Sequence, residues 1–441
     1  MKISEKNQVA IIVFISTLSA LLPGISNQPL AIIPCLIIIF FKYNSGSLTK
    51  IRRDNLFLYW ILYFGIFLIL SFNNFLLFGN KFNISQSIFL SFTYIVYIYT
   101  FSTFSYQNIR DGVIKGSIPM LSYILFVELP LKIINPSILL NIREFINLRP
   151  ISPNTLLGFF EEASHFPSIG ILIITVFGCL ILDKEINKFK TYIKNLYKSF
   201  FLIALSHISG SFLISFYLPI LSFITITYLK NLIVKLKIKK FEKRLAFILF
   251  LVSSFILFYI PYIIRKISFS LSYDHSTSTR FLSLIGGLND FIRNPIFGVG
   301  AGFSRFTREE SINQLINSSP SGNLKIILQN IYASSGLENY YTMQGFPVYS
   351  LIGYLLSETG IFSLIFIFSY FLVIRKSIKY INNTIEQRFS INYLLTIIVN
   401  LSPLSYFIYM LYGYPRALPY FIITNILVLK RITKNLNNFK K

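Results

Sequence analysis

Charged residues are scarce in this chain, and acidic ones are the scarcest. Of 441 residues only 17 are Asp or Glu, and all charged residues together make up 13%. An average soluble domain carries roughly twice that share. Hydrophobic residues account for 54% and the mean hydropathy is +0.62. This composition excludes a water-soluble globular domain and indicates an integral membrane protein.

Cysteine and aspartate are also nearly absent. Cys35 and Cys179 each lie inside a separate apolar stretch, which predicts neither a disulfide framework nor a thiolate metal site. The chain has five aspartates, no Asp-x-Asp sequence, and no cluster of histidine and carboxylate residues at metal-ligand spacing. We therefore expect no metal site and no cofactor.

Basic residues are abundant by contrast, and 41 of them give a net charge of +24. They concentrate in the gaps between apolar segments, where lysine and arginine contact anionic lipid headgroups and fix the orientation of a membrane protein. Membrane lipid is thus the expected partner of these charges, and nucleic acid is not.

Apolar runs long enough to cross a hydrocarbon core of about 30 Å recur along the whole chain. They lie at residues 7–24, 28–41, 55–78, 84–105, 112–134, 166–182, 199–229, 245–264, 347–374, 391–411 and 417–429. Basic residues occupy every second gap only if the run 199–229 is a pair of short helices, which meet near the polar residues 206–211. The sequence therefore predicts an all-α polytopic membrane protein of about twelve spans, forming one membrane domain over residues 1–441.

The same alternation predicts the topology. The gaps rich in lysine and arginine belong on the cytoplasmic side, and both termini fall there with them. Two large loops remain on the outer side, residues 135–165 and residues 265–346. Distinctive chemistry in a polytopic chain is expected in loops of this size.

The longer outer loop contains an amphipathic helix. Its apolar residues recur at helical spacing: Phe281, Leu284, Ile285, Leu288, Phe291 and Ile292. Arg280 stands at its start and Arg293 at its end, and Asn294-Pro295 stops it. We expect this helix to lie along the outer membrane surface with its apolar side toward the lipid.

Four short segments resemble the O-antigen polymerase and O-antigen ligase superfamily. They are the stretch beginning at Arg280 with the following Asn294-Pro-Ile-Phe-Gly-Val-Gly-Ala-Gly-Phe303, then Tyr354-Leu-Leu-Ser-Glu-Thr-Gly-Ile361, Leu157-Gly-Phe-Phe-Glu-Glu-Ala-Ser-His-Phe166 and Ala204-Leu-Ser-His-Ile-Ser-Gly-Ser211. Each segment is short and degenerate, but their order and placement together resemble the family pattern over residues 150–375.

The resemblance implies a fold like that of the GT-C glycosyltransferases and a location in the bacterial inner membrane. It also implies an activity: a glycan carried on undecaprenyl diphosphate is transferred, without a metal, to a second lipid-linked repeat unit at the periplasmic face. The partners implied are the lipid-linked donor and acceptor, with a chain-length regulator and a flippase as possible protein partners. The product implied is O-antigen or a related surface polysaccharide.

Arginine side chains are the expected contacts for the diphosphate, because guanidinium is permanently charged and binds such oxygens in pairs. The candidates are Arg280, helped by Arg305 or by Arg416 in the last outer gap, with Arg293 as a further candidate. Each has a simpler interpretation. Arg280, Arg293 and Arg416 could contact lipid headgroups, and Arg305 begins a run with Arg308, Glu309 and Glu310 that is typical of a solvated charge cluster.

Glu162 and His165 are the candidate catalytic residues, since a titratable pair at the end of the first outer loop could accept a proton from a sugar hydroxyl. Glu161 is more typical of a helix-start carboxylate. Glu358 lies in a family-like segment, and we expect it to have a structural role.

Two other functions stay open. The ligase branch, which transfers glycan to lipid A core, typically has a His-Asn pair where this chain has Tyr349 and Ser350, and this difference favours a polymerase. A lipid-linked oligosaccharide flippase or another transporter also fits many spans and intramembrane charges. The unequal outer loops and the lack of an internal repeat favour the enzyme.

Overall fold

The helices follow the apolar runs closely. The computed structural model describes residues 3–18, 29–44, 55–79, 84–135, 137–139, 141, 166–206, 216–217, 219–224, 275–319, 323–334, 350–383, 391–412 and 418–439. All regular structure within these residues is helical, which confirms the predicted all-α class.

The helices are numbered here in chain order. They are α1 (Glu5–Leu18), α2 (Pro29–Asn44), α3 (Asn55–Phe78), α4 (Ile84–Thr103), α5 (Tyr106–Tyr123), α6 (Leu129–Ile134), α7 (Phe166–Leu182), α8 (Thr191–Ser206), α9 (His275–Arg293), α10 (Ser304–Ser318), α11 (Asn323–Ser334), α12 (Leu351–Thr359), α13 (Ser363–Asn383), α14 (Ile391–Tyr412) and α15 (Leu418–Phe439). A π-helical turn joins α5 to α6, and a 3-10 turn joins α12 to α13.

Five helical segments of the described chain are long and apolar enough to cross a membrane. They are Leu56–Phe78, Ile84–Thr103, Tyr106–Ile134, Leu351–Asn383 and Asn392–Leu411. Shorter apolar helices occupy two more of the predicted spans, at Ile32–Asn44 and Ile169–Leu182. These helices are those of a membrane protein. The predicted span 245–264 lies outside the described residues, and the total of twelve stays a prediction.

Several predicted spans differ from the structure in their bounds; α5, for example, begins at Tyr106 instead of residue 112. The run 347–374 is interrupted: α12 ends at Thr359, and α13 begins only after a 3-10 turn. The cause is local, because Gly360 has a φ of +57° and cannot continue an α-helix. At the predicted helix pair 199–229, α8 ends at Ser206, where the polar interruption begins, but it starts at Thr191 instead of residue 199.

An aromatic core joins α3, α13 and α15. The single tryptophan, Trp60, is fully buried and stacks on Tyr370 and Phe421, with ring centroids 5.9 Å and 5.8 Å away. Phe366 packs against the same indole at 5.8 Å. Large rings of this kind bury much apolar surface and fix the mutual rotation of the three helices.

Helices α1 and α5 approach each other closely through two glycines spaced four residues apart. A Cβ atom at Gly112 would lie 2.5 Å from the Cβ of Val9, and one at Gly116 would lie 2.5 Å from the carbonyl oxygen of Ala10. Small residues at this spacing are common where membrane helices contact, since packing rather than the hydrophobic effect holds such helices together.

One end of α4 is surrounded by basic residues. Lys430 on α15 donates to the carbonyl oxygen of Ser102 at 2.7 Å, and Lys42 on α2 donates to Thr103 Oγ1 at 2.8 Å. Cations are favourable at a helix carboxyl terminus because unpaired carbonyls and the helix dipole concentrate negative charge there. Nearby, buried Arg110 pairs with Asp183 at 2.6 Å and joins α5 to the turn after α7. We call this region the basic end.

The other end of α4 carries a second polar system. Ser87, in the first turn of α4, shares a hydrogen bond of 2.6 Å with the hydroxyl of Tyr354 on α12. Helices α9 and α10 pack against α12 beyond this point, and α11 packs against α9 and α10. About 15 residues of α4 separate Ser87 from Ser102, so a helical rise of 1.5 Å per residue places the two systems roughly 22 Å apart.

Candidate functional site

The glycine-rich segment 294–303 is attached to α12 by backbone hydrogen bonds. The amide of Val299 donates to the carbonyl oxygen of Ser357 at 2.7 Å, and the amide of Ile361 donates to the carbonyl oxygen of Pro295 at 2.7 Å. Segments 294–303 and 354–361, which are some fifty residues apart in sequence, therefore form one unit. Both segments belong to the resemblance described above.

Two glycines make this attachment possible. Gly298 and Gly360 have φ values of +68° and +57°, which side chains of L-residues rarely adopt. A Cβ at Gly298 would lie 2.8 Å from the carbonyl carbon of Glu358, and one at Gly360 would lie 2.6 Å from the carbonyl oxygen of Pro295. Only a residue without a side chain fits at either position.

A buried carboxylate holds the end of this loop. Glu358 is fully buried, and its Oε1 accepts hydrogen bonds from the amide of Ser304 at 3.1 Å and from the Ser304 hydroxyl. Its Oε2 accepts from the amide of Gly302, and from Ser87 Oγ at 3.3 Å. Helix α10 begins at Ser304, and Phe303 before it has no side-chain cap. Glu358 therefore supplies from a distant helix the negative cap that α10 lacks locally.

A buried ion pair lies beside this carboxylate. Arg308 on α10 and Asp290 on α9 are 0% and 1% exposed, and Arg308 Nε is 3.4 Å from Asp290 Oδ2. Arg308 Nη1 donates to the carbonyl oxygen of Ser283 at 2.5 Å. Asp290 also accepts from Ser357 Oγ at 2.7 Å. Burial lowers the pKa of Arg308 below its ordinary value, and the Asp290 and Glu358 carboxylates act in the opposite direction.

The prediction of a solvated charge cluster at Arg305, Arg308, Glu309 and Glu310 is therefore wrong for Arg308. The reason lies on the facing helix. A Cβ at Gly286 would lie 2.5 Å from Arg308 Cδ, so only glycine leaves room for the arginine stem. A signal was present in the sequence, because Ser283, Gly286 and Asp290 recur at spacings of three and four residues. That polar and small stripe is the face that α9 packs against α10 and α12.

The buried cluster has no excess of positive charge, since one guanidinium faces the two carboxylates of Asp290 and Glu358. An anionic ligand would gain little there from Coulomb attraction. The arrangement is instead suited to holding the glycine-rich loop and α10 against α12. Within the described part of the chain, no three His, Cys, Asp or Glu side chains group closely enough to hold a metal ion.

No protein-family model matches the chain, and no curated protein matches it significantly.

The structure separates Arg280 from Arg293. They stand at positions 6 and 19 of α9, so the helical rise places them roughly 20 Å apart along the axis. Arg293 is exposed and lies 3.8 Å from Glu310 in a surface ion pair. Arg280 is half-buried. One diphosphate cannot contact both arginines.

Arg280 and Arg305 also lie toward opposite ends of a helix pair. Helices α9 and α10 run antiparallel where Asp290 accepts from Ser311, and Leu282 packs in one cluster with Ile316. Arg305 lies in the first turn of α10, near the other end of that contact, and its side chain lies outside the described structure.

The remaining candidates fall outside the described residues. Glu162, His165 and Arg416 are among them, as is Tyr349, one of the two residues that replace the ligase pair. The other, Ser350, is described: it is the N-cap of α12, and its Oγ accepts from the amide of Gly353 at 3.0 Å. Its contacts in the structure are those of a helix cap.

Proposed function

We propose that this protein is a membrane-embedded glycosyltransferase, with a GT-C-like fold of about twelve spans, that polymerises undecaprenyl-diphosphate-linked repeat units. The product is O-antigen or a related surface polysaccharide. The observation that carries the proposal is the packing of segments 280–303 and 354–361 into one unit. Each of these segments resembles the family pattern separately, and a shared function requires them to be close together.

The separation of the two polar systems on α4 supports the site's location. The glycine-rich loop lies at one end of α4 and the basic end at the other, a distance comparable to much of a hydrocarbon core. Since basic residues favour the cytoplasmic side, the loop belongs at the periplasmic face of the bacterial inner membrane. Both termini are then cytoplasmic.

The reaction consists of one displacement. An acceptor hydroxyl attacks the anomeric carbon of the donor glycan, a new glycosidic bond forms, and the bond from that carbon to the diphosphate oxygen breaks with inversion. Arg280 holds the leaving diphosphate, and Glu162 or His165 takes the hydroxyl proton. Holding two lipid-borne chains in line supplies much of the rate by positioning.

Arg416 is the better second contact for that diphosphate, because Arg305 lies toward the far end of the helix pair from Arg280. The buried cluster of Arg308, Asp290 and Glu358 keeps the loop in place and does not touch the substrate. Arg293, beside Glu310, contacts lipid headgroups.

The test is polymerisation of purified lipid-linked repeats by the reconstituted protein. Arg280→Ala should lower the polymerisation rate roughly 10- to 150-fold, the effect of losing a charged hydrogen bond of about 1.5–3 kcal/mol. Glu162→Gln should also slow the reaction. Arg293→Ala is the matched control, since it removes the same side chain from the same helix and should leave the rate near wild type.

Other outcomes would indicate other functions. Wild-type product ladders from both Arg280→Ala and Glu162→Gln would remove these assignments. Movement of lipid-linked repeats across vesicles without longer glycans would indicate a transporter. Transfer to lipid A core in place of a second repeat unit would indicate a ligase.

A further inference from the structure

Three large apolar side chains are exposed where α9 ends. Ile292, Ile296 and Phe297 are 72%, 61% and 59% exposed, although they lie next to the buried polar cluster. We call these three residues the apolar turn. Clustered exposed side chains of this size usually mark a surface that contacts a partner or a membrane.

Backbone hydrogen bonds to residues 357 and 361 hold the apolar turn in place. Pro295, which precedes Ile296, accepts the hydrogen bond from the amide of Ile361, and Val299 donates to Ser357. The ring of Phe297 lies 5.9 Å from that of Phe362. These contacts fix the turn at the level of residues 361–362 and prevent it from folding back over the loop.

The apolar turn continues an exposed stripe on the adjoining helix. Ile361, Leu364, Phe368 and Phe371 are all exposed and recur at spacings of three and four residues. They belong to the segment Leu351–Asn383, which is long and apolar enough to cross a membrane. A stripe of this kind on such a helix faces lipid acyl chains.

The depth of the turn follows from the length of α13. Arg375 and Lys376 are exposed and mark the level at which this helix reaches the headgroups at its other end. Fifteen residues separate Lys376 from Ile361, a rise of roughly 22 Å, which is less than a hydrocarbon thickness of about 30 Å. Ile361 and the turn attached to it therefore fall within the hydrocarbon layer.

We propose that Ile292, Ile296 and Phe297 insert into the membrane leaflet farther from Lys376 and contact its acyl chains. Exposed Arg293, adjacent to Ile292, can extend to the headgroups above them. The apolar turn thereby sets the depth of the glycine-rich loop at the boundary between headgroups and acyl chains. This inference concerns membrane contact and does not depend on glycosyl transfer.

Tryptophan fluorescence tests the proposal directly. Trp60 is the single tryptophan, so Trp60→Phe provides a background free of indole. Into it we would introduce Phe297→Trp, with Asn317→Trp as the matched control at an exposed position near the carboxyl end of α10. The full chain is reconstituted in phosphatidylcholine vesicles with and without brominated acyl chains.

The Phe297→Trp protein should emit at shorter wavelength than the control and lose most of its fluorescence to the brominated lipid, while the control keeps most of its own. Equal bromine quenching of both, with strong quenching by aqueous acrylamide at position 297, would overturn the proposal. So would a lack of quenching by either agent, because a second protein chain would then cover the turn. Ile296→Trp repeats the measurement without disturbing the Phe297–Phe362 contact. Neither result bears on the polymerisation assay, so the two proposals fail separately.

Discussion

The substitution Glu358→Gln tests the anchor at the start of α10. Glutamine has nearly the same shape but no charge, and one carboxylate oxygen becomes an amide NH2 group. If the remaining oxygen keeps the bonds from Ser304, the NH2 group faces the amide of Gly302. Two donors then point at each other inside the protein. Ser87 can turn its hydroxyl to accept instead, but a backbone amide has no such freedom.

The expected cost follows from those contacts. A buried amide without an acceptor costs about 1–3 kcal/mol, and loss of a negative charge at a helix amino terminus costs about 0.3–1 kcal/mol more. We expect the free energy of local opening of the loop and α10 to fall by about 1.3–4 kcal/mol. That corresponds to an opening equilibrium constant roughly 9- to 900-fold larger.

Hydrogen exchange measured by mass spectrometry on the purified protein can detect a change of this size. The amides of Val299, Gly302 and Ser304 are all hydrogen-bonded in the intact site, so peptides covering them should exchange faster in Glu358→Gln. Glu310→Gln is the matched control, because it removes an exposed carboxylate from the same helix and should change stability by less than about 0.5 kcal/mol. If these peptides exchange at the wild-type rate in Glu358→Gln, the carboxylate does not hold the loop and the reasoning is refuted.

Two further predictions concern other parts of the protein. In thermal unfolding, Gly298→Ala should destabilise the fold by at least about 3 kcal/mol, because the added methyl group would meet backbone atoms at a residue with positive φ. Gly65→Ala is the control: no atom lies within 4 Å of the added carbon, so this variant should be nearly as stable as wild type. Partial burial acts to raise the pKa of Glu185, but its bond to Arg110 and the guanidinium charge outweigh burial and lower it. A carboxylate whose pKa is lower in the folded than in the unfolded protein stabilises the fold at pH values above its unfolded pKa, and this contribution is lost as the pH falls. Thermal stability should therefore decline below about pH 4.5, and the decline should be less steep in Glu185→Gln. Equal acid sensitivity of wild type and Glu185→Gln would contradict this reading.

Helix positions could be predicted from the sequence because they depend on local composition. The apolar runs 55–78 and 166–182 have the same bounds as α3 and α7, since a continuous apolar run of that length has few alternatives in a membrane protein. The carboxyl end of the amphipathic helix was also predicted correctly, since it ends at Arg293, directly before Asn294-Pro295. Its start and the direction of its apolar side were not: the helix begins at His275, and Phe281 and Ile285 pack against α10 and α11. Each correctly predicted feature is determined within about twenty neighbouring residues.

The buried cluster could not be predicted in the same way, because its members come from three separated segments. Arg308 stands next to two glutamates, and this neighbourhood is typical of solvated surface. Only the packing of α10 on Gly286 and Asp290 removes it from water. Glu358 was expected to have a structural role, and its contacts with Gly302 and Ser304 agree with that expectation, but a single sequence does not identify those partners.

The position of Glu358 links the loop to the membrane helices as well as to α10. Its carboxylate bonds to Ser87 on α4, and the next residue, Thr359, shares a hydrogen bond of 3.0 Å with Tyr63 on α3. The loop is therefore fixed to helices that are themselves long and apolar enough to span a bilayer. A loop anchored only to other loops could move relative to the membrane, whereas this one cannot change depth without breaking bonds to α3 and α4. If the protein acts on a lipid-borne diphosphate, as proposed, this constraint matters because the reacting bond lies at a depth set by the lipid, and the protein must present its groups at that same depth.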